Sequence, residues 1–163
     1  TNGVFSGKRG DYVEFDNPDS TDVYGRSKLK GEVIKYPHLT IRTSIIGPQL
    51  KSNSGLLEWF LKQKNEVKGY TEVKWGGVTT LECAKFIDWA NKQQLTGLIH
   101  LLSKKISKYD LLNTAKEVYG RKIKITPDSD IKSDKTLKTS RSDMNYVVPS
   151  LYKMLEELKN VIF

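Results

Sequence analysis

The sequence is poor in the residues that build disulfide frameworks, zinc sites and membrane spans. It has one cysteine, Cys83, and two histidines, His38 and His100. A single cysteine excludes an intrachain disulfide, and this inventory supplies no zinc set, so no metal is expected. No apolar run approaches the ~18 residues that a bilayer-crossing helix needs. No charged and apolar leader pattern opens the chain, and no Asn-x-Ser/Thr acceptor occurs in it. These absences predict a reducing, cytoplasmic setting with no membrane partner. Neither Gly-x-Gly-x-x-Gly nor Gly-x-x-Gly-x-x-Gly occurs anywhere. The phosphate-binding turn of a dinucleotide fold is therefore missing from these residues.

Charge comes next. The 163 residues hold 27 Lys and Arg against 19 Asp and Glu, a net charge of +8. A nucleic-acid reader would concentrate that charge. Here the cations are mostly lysines scattered among acids, with no Arg cluster and no aromatic-basic platform. No nucleic-acid partner is expected. A phosphate-bearing small molecule would favour the same sign of charge.

The pair Tyr24 and Lys28 stands out in the run Val23-Tyr24-Gly25-Arg26-Ser27-Lys28-Leu29-Lys30-Gly31-Glu32. Residues four apart on a helix project from one face. A phenol is a poor acid or base at neutral pH, and a neighbouring ammonium favours its phenolate. Such a pair can move a proton. Upstream, Thr1 to Gly7 reads as an apolar strand end followed by a glycine turn. Downstream, His38 to Ile46 reads as one buried strand, ending at Gly47 and Pro48. The helix would then lie between two strands, as in a βαβ unit. Ligands of open α/β sheets bind outside the carboxyl ends of the strands. Thr1 and Ile45 to Gly47 would sit there.

These residues resemble the extended short-chain dehydrogenase/reductase family, on its dTDP-4-dehydrorhamnose reductase branch of sugar-nucleotide reductases. That branch carries Ser-Thr-Asp-Tyr-Val-Phe-x-Gly, an acidic loop, then Val-Tyr-Gly-x-Ser/Thr-Lys-x-x-Gly-Glu. Thr1, Val4, Phe5 and Gly7 match the first part. Asp11 to Asp16 match the loop, and Val23 to Glu32 match the last part. The resemblance implies an α/β fold: the C-terminal part of a doubly wound, Rossmann-like domain plus a small α/β substrate-binding domain, without the N-terminal dinucleotide-binding half. Residues 1–48 would belong to the cofactor domain and 49–163 to the substrate domain. A strand near 97–102 would return to the cofactor sheet.

The same resemblance implies roles. Tyr24 would be the general acid/base, with Lys28 beside it on the nicotinamide ribose and Thr1 bonding the substrate oxygen. Ile45, Ile46 and Gly47 would flank the cofactor, NADP or NAD. Asn2 and Gly3 replace an Asp and an aromatic that often lies near the substrate. Trp75 would stack on a base or sugar, or simply pack in a turn. By side-chain chemistry rather than resemblance, Arg42 and Arg141 would meet a diphosphate, with pairing to an acid the alternative for Arg42, which lies in a strand.

The rest of the chain predicts a helix from Thr21 to about Lys35 ended by Pro37, a polar loop Gln49 to Gly55, and a helix from Leu56 to near Asn65. Further helices are expected over Leu81 to Gln93, from Ser107 to Gly120, and from Leu151 to Val161. Short strands are expected near Glu66, Gly97 and Ile123. The implied function is NAD(P)-dependent reduction of a nucleotide-linked 4-keto sugar, in cell-surface polysaccharide biosynthesis, with a homodimer allowed. A sugar-nucleotide epimerase or dehydratase and a non-catalytic regulatory subunit are the alternatives. Without a Gly-rich half, residues 1–163 alone are expected to be inactive with nicotinamide cofactors.

Overall fold

The computed structural model describes residues 1–49 and 55–162. The expected loop from Gln49 to Gly55 falls mostly outside them. The elements, in chain order, are a 3-10 turn Asn2–Val4, α1 Val23–Lys30, β1 Leu39–Arg42, β2 Ile45–Ile46, α2 Leu56–Lys62, β3 Glu66–Tyr70, β4 Val73–Trp75, β5 Val78–Thr79, α3 Thr80–Lys92, β6 Gly97–His100, β7 Ile106–Ser107, α4 Lys108–Val118, β8 Lys124–Asp128, β9 Ser133–Asp134 and α5 Leu151–Ile162. The fold is α/β, and most of its strand pairs are parallel.

The expected single strand over 38–46 is two strands. β1 pairs in parallel with β6, and β2 pairs in parallel with β5. The partner changes at Thr43 and Ser44. There the Ser44 carbonyl accepts from Val78 N at 2.9 Å and the Arg42 carbonyl accepts from Leu101 N at 3.0 Å. No local pattern in the strand marks this hand-over, because it is set by where residues 78 and 101 arrive. The continuous burial expected of the strand is also incomplete, since Ile45 is exposed.

Beyond this line, β3 pairs with β8 in parallel, and β4 lies between β7 and β9. α2, α4 and α5 bury Phe60, Leu111, Leu155 and Leu158 against Trp75 and the β3/β8 pair. A second cluster packs Phe86 and Ala90 of α3 against Val78, Ile99 and Met154. α5 serves both clusters, Met154 facing one and Leu155 and Leu158 the other. The helix starts follow local chemistry. Thr79 caps α3 through Glu82 N, and Ser107 with Asp110 forms a reciprocal capping box on α4. Gly120, at φ +61°, turns the chain out of α4 as expected.

Two expectations near the N-terminus are corrected. Thr1 to Gly7 contains a 3-10 turn, not a strand, because the Thr1 hydroxyl and the Asn2 carbonyl capture Gly3 N and Phe5 N locally. α1 ends at Lys30 with Gly31 as its cap, well before Pro37. Residues 32 and 33 leave the helix to bond the strand instead. Val33 N donates to Thr40 Oγ1 at 3.1 Å, and Thr40 Oγ1 donates back to the Val33 carbonyl at 2.8 Å. Glu32 meets Arg42 in the same turn.

Candidate active site

Thr1 caps the 3-10 turn, its Oγ1 accepting from Gly3 N at 3.1 Å. Asn2 fixes that turn to the strand line, since its backbone N donates to the Thr43 carbonyl at 3.1 Å. Its side chain donates to the Lys135 carbonyl at 3.0 Å. α1 begins at Asp22, whose carboxylate accepts from Gly25 N. The helix then packs glycine on backbone: a Cβ on Gly25 would lie 2.4 Å from the Gly3 carbonyl oxygen. This contact presses Tyr24 onto the turn, and a Cβ on Gly3 would lie 2.9 Å from Tyr24 Cε1. Lys28 Nζ stands 5.6 Å from the centre of the Tyr24 ring. Tyr24 is 57% exposed, and Lys28 is exposed beside it. A hydroxyl, a phenol and an ammonium thus meet on one open face, next to the carboxyl end of β1.

A cleft of about 220 Å³ opens on the other side of the hand-over, lined by Ser44, Ile45, Ile46, Gly47, Trp75 and Lys108. A Cβ on Gly47 would collide with Thr80 Oγ1 at 2.4 Å, so the cleft floor depends on glycine. Ile45 is exposed to the cleft side while Ile46 is buried. Trp75 is 6% exposed and belongs to the core, with only an edge on the cleft.

Arg141 is elsewhere. Its Nη1 donates to the Thr96 carbonyl at 2.6 Å and the Leu98 carbonyl at 3.2 Å, and its Nε and Nη2 fork onto Asp143. That places it at the amino end of the β1/β6 pair, opposite Thr1 and Tyr24. Its guanidinium is committed there, so a diphosphate contact beside Tyr24 is not open to it. Arg42 is also committed. It is 3% exposed and forks onto Glu32 at 2.7 and 2.8 Å.

Behind the site runs a buried polar network around His100 and Glu14. His100 is fully buried; its Nδ1 lies 3.1 Å from the Tyr12 carbonyl and 2.9 Å from the Lys138 carbonyl. Two acceptors at Nδ1 require the proton there, leaving Nε2 as a lone pair towards Arg42 Nη1 at 3.5 Å. Burial holds the His100 imidazole below its ordinary pKa, against the raising field of Glu14. Glu14 accepts from His100 N, Thr139 Oγ1, Ser140 N and Ser140 Oγ at 2.7 to 2.9 Å. Burial acts to raise its pKa, but these donors together bring it down to about 2. The Phe5 ring stacks on Tyr12 at 4.1 Å with Arg42 5.3 Å from its centre, tying this network to the turn that carries Gly3.

Known proteins show the same architecture. Over 97% of this chain, the dTDP-4-dehydrorhamnose reductase of Yersinia enterocolitica superposes at a TM-score of 0.77 with 22% identity. The enzyme of that name from Bacillus anthracis, solved with NADP, covers 99% at 0.80 and 20% identity. UDP-glucuronic acid 4-epimerase from Bacillus cereus, solved with NAD, covers 100% at 0.69 and 18% identity. The chain has their fold. It spans 64%, 63% and 60% of those three chains. At these identities the likeness shows architecture alone. No family model matches the sequence, and no curated protein matches it. Among the described residues no helix is long and apolar enough to cross a membrane, and no three metal-ligating side chains converge.

Proposed function

We propose that this chain is part of an NAD(P)-dependent reductase of a nucleotide-linked 4-keto sugar. The observation that carries the reading is the meeting of Thr1, Tyr24 and Lys28 on one open face at the carboxyl end of β1. The solved NADP complex of a protein with this fold supports it. The chain spans less than two thirds of those neighbours, so the activity is proposed for the whole protein.

The residues fit the nicotinamide end of such a cofactor. Tyr24 and Lys28 are both accessible, and the glycine-floored cleft at Ile45 to Gly47 lies one strand residue beyond Ser44. When bound, a reduced nicotinamide would supply the hydride. Tyr24 would give its phenolic proton to the oxygen that becomes an alcohol. Thr1 Oγ1 already accepts from Gly3 N, so its own hydrogen is free to donate to that same oxygen. Lys28 would hold a positive charge beside the phenolate left behind.

The test is Tyr24→Phe in the whole protein, followed by NAD(P)H consumption with a dTDP-linked 4-keto sugar. The variant should fold, bind cofactor and lose reduction by at least ~100-fold, the lower range for a general acid. Full activity in the variant sinks the assignment. The likeness to an epimerase favours one second reading. Cofactor recycled without net consumption would select it.

A further inference from the structure

We infer that Arg42 is a positioning residue: by holding both carboxylate oxygens of Glu32, it keeps the Lys28 ammonium unpaired beside Tyr24. What Lys28 then does for a cofactor rests on the reductase reading above; the diversion of Glu32 stands on geometry alone.

Lys28 and Glu32 are four residues apart, the spacing at which opposite charges pair on a helix. α1 stops at Lys30, yet the chain keeps turning. Gly31 N donates to the Lys28 carbonyl and Glu32 N to the Leu29 carbonyl, both at 3.1 Å. Glu32 therefore leaves from the turn next to Lys28. Burial lowers the Thr1 amino group below its ordinary pKa, and Glu32, Arg42 and Lys28 are the charges that act on it, so all three stand around the Thr1 end of the site. Without Arg42, Glu32 would be the natural partner of Lys28. Arg42 takes it instead, Nε meeting one oxygen at 2.7 Å and Nη2 the other at 2.8 Å. Asp22, at the start of α1, is also in use, accepting from Gly25 N and Ser20 Oγ. Among the described residues Lys28 has no hydrogen bond and no ion pair, and its ammonium stands 5.6 Å from the centre of the Tyr24 ring.

Arg42 suits this role because it cannot turn. It is fully enclosed, with Nη1 3.5 Å from His100 Nε2 and its guanidinium carbon 5.3 Å from the centre of Phe5. The remaining N–H groups form a planar fork that matches a carboxylate. A lysine would meet one oxygen of Glu32 and leave the second. Phe5 N donates to the Asn2 carbonyl and closes the turn that carries Gly3. One guanidinium thus fixes the acid behind α1 and packs on the turn in front of it.

The experiment is a double-mutant cycle between Lys28→Met and Glu32→Gln in denaturant titrations, run with Arg42 in place and again with Arg42→Lys. With Arg42 in place, the two changes should add within ~2-fold in the unfolding equilibrium. With Arg42→Lys they should couple by ~5-fold, the upper range for an exposed ion pair. NADPH binding by the whole protein is the second readout. Arg42→Lys should weaken it by ~5-fold, as Glu32 captures Lys28. Adding Glu32→Gln to Arg42→Lys should return it to within ~2-fold of wild type, although the double variant melts no higher than Arg42→Lys alone. A purely structural Arg42 would give no such rescue. Coupling of Lys28 and Glu32 with Arg42 in place, additivity with Arg42→Lys, or NADPH affinity that Glu32→Gln fails to restore overturns the inference. The first of these needs no Arg42 variant to fold. Wild type that binds no NADPH, with the coupling pattern as stated, sinks the reductase reading and keeps the diversion of Glu32.

Discussion

The ring of Tyr24 lies against the backbone of Gly3, so that a Cβ at position 3 would stand 2.9 Å from Tyr24 Cε1 and 3.4 Å from Thr1 Oγ1. The phenol and the hydroxyl approach one another across a position that has no side chain. Directly behind, Gly25 faces the Gly3 carbonyl. Two glycines therefore set where the phenol stands, one under the ring and one under the helix.

Alanine at these positions should act differently. In Gly3→Ala the new methyl meets the edge of a half-exposed ring, which can tilt away. Stability should fall by no more than about 1 kcal/mol, while displacement of the phenol should lower turnover of the whole protein by ~10- to 100-fold. In Gly25→Ala the methyl meets a backbone oxygen at 2.4 Å and Ser20 Oγ at 2.5 Å, so the helix must lift. That overpacking should cost about 1–3 kcal/mol. Thermal melts alongside turnover check both. Equal losses of stability in the two variants would contradict the assignment.

Glu14 should make the fold acid-sensitive in a defined window. Its folded pKa, about 2, lies below the ordinary 4.5. A depressed carboxylate contributes stability that is present above pH 4.5 and lost as pH falls towards 2. Glu14→Gln removes that contribution and leaves donors from Thr139, Ser140 and His100 poorly matched. At pH 7 the variant should be less stable by about 1–2 kcal/mol, allowing for solvent screening of a partly exposed group. The gap between variant and wild type should close between pH 4.5 and 2 in denaturant titrations. A gap independent of pH would refute the role.

His100, beside the Glu32–Arg42 pair, occupies a higher window. His100 is neutral and fully buried, with its folded pKa below the ordinary 6.5. Its contribution is therefore complete above pH 6.5 and is lost as pH falls through the lowered value. Protonation would also set a second cation beside Arg42 Nη1. Arg42→Met leaves Glu32 with little solvent and no guanidinium, and should cost about 3–5 kcal/mol, as for other broken buried pairs. The double variant Glu32→Met/Arg42→Met should recover part of that loss. Denaturant melts of the cycle at pH 7 read both values, and strict additivity would show that the pair is not coupled.

Much of this arrangement is legible in sequence because it is local. The Tyr24/Lys28 spacing, the Ser107 to Asp110 cap and the stop at Gly120 are all contained within one helical turn or its end. What is not legible is set by distant contacts. Glu32 leaves α1 because Arg42, ten residues on, needs a carboxylate. Arg141 looks like a free phosphate fork until the carbonyls of Thr96 and Leu98 arrive at its Nη1. Trp75 reads as a turn residue and is instead covered by α2, α4 and α5.

The division of strand 38–46 into two pairings rests on Gly77. A Cβ at that position would stand 2.0 Å from the Ser44 carbonyl oxygen and 2.6 Å from its carbon. Both atoms are backbone, and the Ser44 carbonyl is already held by Val78 N at 2.9 Å. No rotamer change relieves the contact, so β5 must withdraw from β2 as a unit. The Ser103 hydroxyl bond to the Gly77 carbonyl, at 2.6 Å, would be lost with it. Gly77→Ala should therefore destabilise the fold by about 3 kcal/mol or more, at the severe end for single substitutions. Gly76→Ala is the matched control, because its nearest neighbour is the Ser103 carbonyl oxygen at 3.2 Å, which needs to give by only a few tenths of an ångström. Its loss should stay near 1 kcal/mol. Chemical denaturation of the two variants side by side decides the matter, and similar midpoints would show that the hand-over at Ser44 does not depend on a close backbone approach.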